Sequence, residues 1–171
     1  MANEDWMAGF THRNYLNLTD ITFPASHDAG LSEAQGGYSG YWAGSSQKDT
    51  ICHYHDIAGQ LAAGSRAFDL RIANKGGALH TFHGEGVFGS IGGGWGQAAT
   101  SIFQQVDAFL AAHAGEIVIL RISHTKEAAG THNEILRCID DSRIFKCGPR
   151  NLATVPIDKL RGKAIAIFDE E

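Results

Sequence analysis

Three short stretches hold the side chains whose types and spacing can do chemistry. They are Ser26-His27-Asp28-Ala29-Gly30, Gly64-Ser65-Arg66-Ala67-Phe68-Asp69-Leu70-Arg71-Ile72 and Leu79-His80-Thr81-Phe82-His83-Gly84. The middle stretch alternates. Phe68, Leu70 and Ile72 fall on one side of an extended chain, and Ala67, Asp69 and Arg71 fall on the other. An acid and an arginine two residues apart on one strand face can simply pair, because each alone is costly to desolvate. Their company suggests more. A His-Asp pair and a second histidine lie at the ends of neighbouring strands. Two histidines, an arginine and two carboxylates form a phosphodiester-cleaving set. Imidazoles move protons near neutral pH, and a fixed cation meets the charge that builds on a phosphate.

Other polar residues carry blander readings. His80 is structural, since it is out of phase with the working face of its strand. His53 and His55 fall on a helical pattern and read as surface residues. His124 and Arg121 stay ambiguous. Lys75, Glu85 and Lys126 are solvated loop charges.

The elements that must position these residues alternate between strand and helix. Residues 1–18 form a helical or irregular lead-in whose Trp6, Met7, Phe10, Tyr15, Leu16 and Leu18 cover one end of a core. Asp20–Phe23 is the first strand, ended by Pro24. Residues 31–50 are a long Gly/Ser-rich loop with Tyr38, Tyr41 and Trp42. Thr50–Ala63 is predicted as a helix capped by Thr50 and stopped by Gly64. Residues 66–72 and 78–82 are strands joined by the tight turn Asn74–Gly77. Residues 84–94 are a Gly-rich loop. Trp95–His113 is the clearest helix, with a stripe of Ile102, Val106, Phe109 and Leu110. Glu116–Ser123 is an almost unbroken β-branched run, the pattern of a strand buried on both faces of a parallel sheet. Asn133–Asp141 is a short helix, and Ala164–Phe168 is a final strand. The reading is α/β with about five parallel strands.

The totals narrow the classes. A chain of 171 residues with 43% apolar side chains can bury a core within one domain, here read as residues 1–171. A net charge of −5 gives no basic field for nucleic acid. No run approaches the roughly 20 apolar residues of a membrane-spanning helix. The N-terminus lacks the basic start and apolar core of a signal peptide, and both a secreted and a membrane-surface location stay open. Three cysteines (Cys52, Cys138, Cys147) without CxxC spacing argue against a disulfide framework or a zinc site, and read as free thiols.

In this order and spacing, Ser26-His27-Asp28, Gly64-x-Arg66-x-Phe68-Asp69-Leu70-Arg71 and Leu79-His80-x-x-His83-Gly84 resemble the X region of phosphatidylinositol-specific phospholipase C. The resemblance runs from about Trp6 to Phe168. It implies a distorted TIM barrel with its active site at the C-terminal ends of the strands. It also implies attack by the inositol 2-hydroxyl on phosphorus, giving diacylglycerol and a cyclic inositol phosphate. By resemblance His27 is the base and His83 the acid. Asp69 would hold His83, and Asp28 would sit near the arginine and the departing oxygen. Arg71 stands where the bacterial branch replaces calcium with an arginine. Ser123 and His124 stand where the calcium branch carries an acid. The implied cofactor and metal content is none. The implied partner is phosphatidylinositol or a related inositol phospholipid, met transiently at a membrane surface.

Two rival readings keep the fold. One is a metal-dependent glycerophosphodiester or sphingolipid phosphodiesterase, which would draft Asp28 and Glu85. The other is a non-catalytic lipid-binding relative. Five strands are too few for a closed eight-stranded barrel of about 250 residues. The expectation is therefore an incomplete barrel, lacking the carboxylate that the family uses to orient the base.

Overall fold

The computed structural model describes residues 3–13, 15–42, 44–84, 92–125, 133–135, 137, 143–148 and 151–169. Seven strands make one sheet: β1 (Ala25–Ser26), β2 (Tyr38–Trp42), β3 (Ala67–Lys75), β4 (Ala78–Gly84), β5 (Gly93–Ala98), β6 (Ile117–Ser123) and β7 (Lys163–Phe168). The path runs β2-β5-β4-β3-β6-β7, with β1 paired to β3. Strands β1, β3, β6 and β7 are parallel, while β2, β5 and β4 pair antiparallel. The architecture is TIM-barrel-like and open, with β7 last on the path; beyond β6 it meets only an isolated parallel bridge from Ile144 to Ala164 among the described residues.

Strand β3 is the hinge between the two parts. Its first half, from Ala67 to Arg71, lies in parallel register with β6, and Ala67 and Phe68 also face β1. Its second half, from Ile72 to Lys75, pairs antiparallel with β4. The alternation expected for β3 is present: Phe68, Leu70 and Ile72 are buried, while Ala67, Asp69 and Arg71 are half-buried on the other face.

The buried face packs with Leu120 and Ile122 of β6 against α2 (Ile57–Ala63) and α3 (Ala99–Ala112). Ile57, Leu61, Ile102, Phe103, Val106 and Leu110 complete that core. Each such side chain contributes about 1.5–3 kcal/mol of burial. A second cluster fills the opposite end of the other sheet face. There Met7, Ile117, Val155, Ile157, Leu160 and Ile165 pack together, with Trp6, Leu16 and Leu18 against them. Tyr15, expected in that cover, is instead 75% exposed.

A buried ion pair pins the lead-in (Asn3–Arg13, mostly 3-10 turns) under the sheet. Arg66 Nε lies 2.8 Å from Glu116 Oε2, and both side chains are fully buried. Arg66 also donates to the carbonyls of Leu61, Ser65 and Glu4. The second Glu116 oxygen accepts from Met7 N.

Several expectations are corrected. Among the described residues the parallel strands number four, because 78–84 turns back through the Asn74–Gly77 hairpin and runs antiparallel to β3. Asn74 Oδ1 accepts from Gly77 N, and Gly76 and Gly77 take positive φ, which makes the reversal tight. The first strand lies beyond Pro24, not before it. Proline cannot donate, but the Pro24 carbonyl accepts from Arg66 N and Ala67 N, so the ladder begins there.

The predicted helix over 50–63 is two short helices, α1 (Gln47–Thr50) and α2, with 51–56 between them. Asp56 is the cap of α2, accepting from Gly59 N at 3.0 Å. Gly64 closes α2 in the left-handed conformation, φ +112°. Residues 95–98 belong to β5 rather than to α3. Gly94 and Gly96 let that strand lie against Thr50 and Gly30, where any side chain would collide. β6 is buried along the whole of one face, and on the other face only at its ends, where Ile117 and Ser123 are buried. Ile119 is half-buried and Arg121 is exposed, because that face looks into the open side of the sheet. Of the helix expected at 133–141, residues 133–135 are helical, and most of the remainder lies outside the described residues. Glu85, Lys126 and Cys138 lie outside them too.

Candidate active site

Strand β1 ends at Ser26, and the chain turns sharply through Asp28, which has φ +48°. Aspartate tolerates this conformation better than most residues. Ala29 N donates to Asp69 O at 3.0 Å and Leu31 N to Asp28 O at 3.2 Å, so the turn is locked onto β3. The Asp28 side chain is thereby buried, at 1% exposure, just beyond the end of β1. The hairpin returns the chain so that His83, near the end of β4, arrives beside it.

Asp28 is the hub. Its Oδ2 lies 2.6 Å from His83 Nδ1 and 3.3 Å from His27 Nε2. Its Oδ1 faces Arg71 Nε at 3.2 Å. On the other side of His27, Nδ1 lies 2.7 Å from Asp69 Oδ2. Arg121, the parallel neighbour of Asp69 across the ladder, comes within 3.6 Å of Asp69 Oδ1 and holds Asp169 at 2.6 Å. That partnership pushes the already high Arg121 pKa further up, mainly through the hydrogen bond to Asp169. A cavity of about 290 Å³, lined by Ala25, His27, Asp69, Ile119 and Arg121 among others, opens beside this chain of charges. All five residues singled out from the sequence (His27, Asp28, Asp69, Arg71 and His83) therefore meet in one place.

An ionised carboxylate can only accept. The short contact with Asp28 therefore places a hydrogen on His83 Nδ1 and leaves Nε2 to face a substrate. His27 is 72% exposed, and both its nitrogens face carboxylates. Its contact through Nδ1 is the shorter one.

No family model matches the chain. Among curated proteins, it is 27% identical over 166 residues to the human PI-PLC X domain-containing protein 2, with 80% of this chain and 48% of that protein covered. The mouse protein of the same name is 26% identical, with 80% and 43% covered. The chain is PI-PLC X-domain-like. It spans about half the length of these relatives. Among solved structures, a phosphatidylinositol-specific phospholipase C from Listeria monocytogenes superposes with a TM-score of 0.69 at 15% identity, covering 99% of this chain and 57% of that one. One from Staphylococcus aureus gives 0.65 at 19%, covering 98% and 53%. These structural likenesses carry the TIM-barrel-like fold.

Within this candidate site the partnering differs from the expected one. Asp69 was assigned to His83, but it contacts His27, and Asp28 contacts His83. The reason is topological. The β4 hairpin sets His83 over the buried turn at Asp28, while Asp69 points into the cavity beside the more exposed His27 ring. The carboxylate expected to be missing beside His27 is supplied in this structure by Asp69.

His80 keeps its structural reading. Its Nδ1 lies within 3.1 Å of Gly96 O and 3.3 Å of Ser39 Oγ. Two neighbours of the site escaped the sequence. His53 is not on a helix, and its Nε2 sits 2.7 Å from the His27 carbonyl. Cys52 approaches Asp28 and His83. Although Cys52 is exposed overall, partial desolvation of its thiol, and then the Asp28 charge, push its pKa up, while Arg71 opposes them. The helical spacing read over 51–61 hid both residues.

Proposed function

We propose that the chain cleaves phosphatidylinositol-type phosphodiesters by paired histidine acid–base chemistry, without a metal. The observation that carries this reading is that His27, His83 and Arg71 converge on the one buried carboxylate of Asp28. The inositol 2-hydroxyl displaces Asp28 from His27 Nε2 and gives that nitrogen its proton, while Asp69 holds Nδ1. The oxygen bonds to phosphorus, and the bond from phosphorus to the glycerol oxygen breaks. His83 enters the step as the imidazolium, with hydrogens on both nitrogens; Nε2 gives its proton to the departing oxygen, while Nδ1–H stays on Asp28 and keeps the ring in place. Arg71 faces the charge that builds on the phosphate. The products are a cyclic inositol phosphate and diacylglycerol. The substrate is met at a membrane surface. Among the described residues no helix is long and apolar enough to cross a membrane.

One observation favours a second reading. Ligand atoms of His27, Asp28 and Asp69 lie within 4.8 Å of one another, close enough to share a cation. Chelation separates the two. Cleavage of phosphatidylinositol vesicles is expected to survive excess EDTA, because Arg71 supplies the cation. Activity that dies in chelator and revives with Ca²⁺ or Mg²⁺ establishes the metal-dependent phosphodiesterase instead. Absence of turnover on any phosphodiester lipid, with retained vesicle binding, establishes the non-catalytic relative.

A further inference from the structure

We infer that Asp28, Cys52 and His83 form a zinc-class cation site whose occupation blocks the candidate active site. The three offer a carboxylate oxygen, a sulfur and an imidazole nitrogen, all within 4.8 Å of one another. The sulfur is positioned by backbone. Cys52 N and His53 N both donate to Leu31 O at 3.0 Å, three residues past Asp28, and Cys52 Sγ contacts Thr50 O at 3.6 Å. Asp28 Oδ1, buried, accepts no hydrogen bond and meets only the Arg71 ion pair among the described residues. The carboxylate therefore retains accepting capacity inside the site.

The donor set selects the ion. Calcium and magnesium seek oxygens, whereas a mixed sulfur, nitrogen and oxygen set suits zinc and its congeners. A thiolate and a carboxylate carry two negative charges, which a divalent ion cancels. The thiol proton and the hydrogen between His83 and Asp28 leave to solvent as the metal enters.

Tetrahedral bonds of about 2.0–2.3 Å set ligand atoms roughly 3.3–3.8 Å apart. The present His83–Asp28 contact of 2.6 Å then widens by about 1 Å, and Cys52 closes in. With the metal on His83 the ring no longer hands a proton to the leaving oxygen. This inhibitory consequence rests on the catalytic reading above, but the binding itself does not. The His27, Asp28 and Asp69 group is a different proposition, since it contains no sulfur.

Cobalt titrated into metal-free protein tests the site directly. The wild-type chain and Cys147→Ala are expected to show a thiolate-to-cobalt charge-transfer band at one equivalent, displaced by Zn²⁺. Cys52→Ala and Cys52→Ser are expected to lose it. Loss of an outer-shell partner alone weakens metal sites by about 10–100-fold, so removal of the sulfur ligand should weaken Zn²⁺ binding by at least about 100-fold. In chelator, Cys52→Ala should cleave lipid at the wild-type rate while tolerating far more Zn²⁺ once chelator is removed. No band in the wild type, or a band that survives Cys52→Ala, overturns the site. Equal Zn²⁺ inhibition of wild type and Cys52→Ala overturns its control of catalysis. A wild-type chain that shows the band but turns over no lipid refutes the catalytic reading and leaves the metal site standing.

Discussion

His27→Ala and His83→Ala are each expected to lower phosphatidylinositol cleavage by about 10²–10⁴-fold, the usual contribution of one positioned acid or base. The fold should survive both changes. His27 is 72% exposed and His83 34%, so neither truncation leaves a large cavity. The two variants should differ in what they leave behind. Without His83, Asp28 keeps Arg71 and His27 as partners. Without His27, Asp69 keeps only the more distant Arg121 among the described residues. Circular dichroism to check the fold and release of cyclic inositol phosphate from vesicles are the measurements. Near-normal turnover in either variant removes that histidine from the chemistry. A double variant losing about as much as each single one is the expected pattern, because acid and base serve one step and their effects are not additive.

The largest effect on stability is expected at the buried pair Arg66–Glu116. Glu116→Ala leaves a fully buried guanidinium facing the Phe109 ring, whose centroid lies 4.6 Å from Arg66 Cζ, with no carboxylate to balance it. It also frees Met7 N, which now donates to Glu116 at 3.0 Å. Removing one partner of a buried ion pair costs about 3–5 kcal/mol, a large share of the roughly 5–15 kcal/mol that holds a domain together. Arg66→Ala is expected to cost as much and to loosen the lead-in, since Arg66 also holds the Glu4 carbonyl at 2.7 Å. The double replacement Arg66→Met with Glu116→Leu should cost less than either single change, because no buried charge is left alone. Urea denaturation of the four proteins decides the matter. Single variants within about 1 kcal/mol of wild type, the worth of an exposed pair, contradict this account.

Much of this fold was legible in the residues. The alternation over 67–72 set Phe68, Leu70 and Ile72 against the helices and left Asp69 and Arg71 together on the other face. The β-branched run of β6, the closing strand β7, the stop at Gly64 and the turn at 74–77 all follow from local chemistry that neighbours in sequence decide. The five candidate site residues were also recognisable by type and order.

Tertiary structure alone decided how they meet. Periodicity is the same for 78–84 in either direction; the tight turn at 74–77 is what carries the antiparallel sense, since a parallel neighbour needs a crossover of about a dozen residues. Residues 93–98 carry three glycines, which allow close approach to Trp42, Thr50 and Gly30, and absent side chains leave no pattern to read. Residues 51–56 kept helical spacing, yet they lie along residues 31–33, because the Leu31 carbonyl and Ser32 capture Cys52 and His53. The choice of carboxylate for each histidine was the least legible feature. Asp28 and Asp69 are equivalent acids in sequence. Only the locked turn at Asp28 and the hairpin above it give the buried carboxylate to His83 and the cavity-facing one to His27.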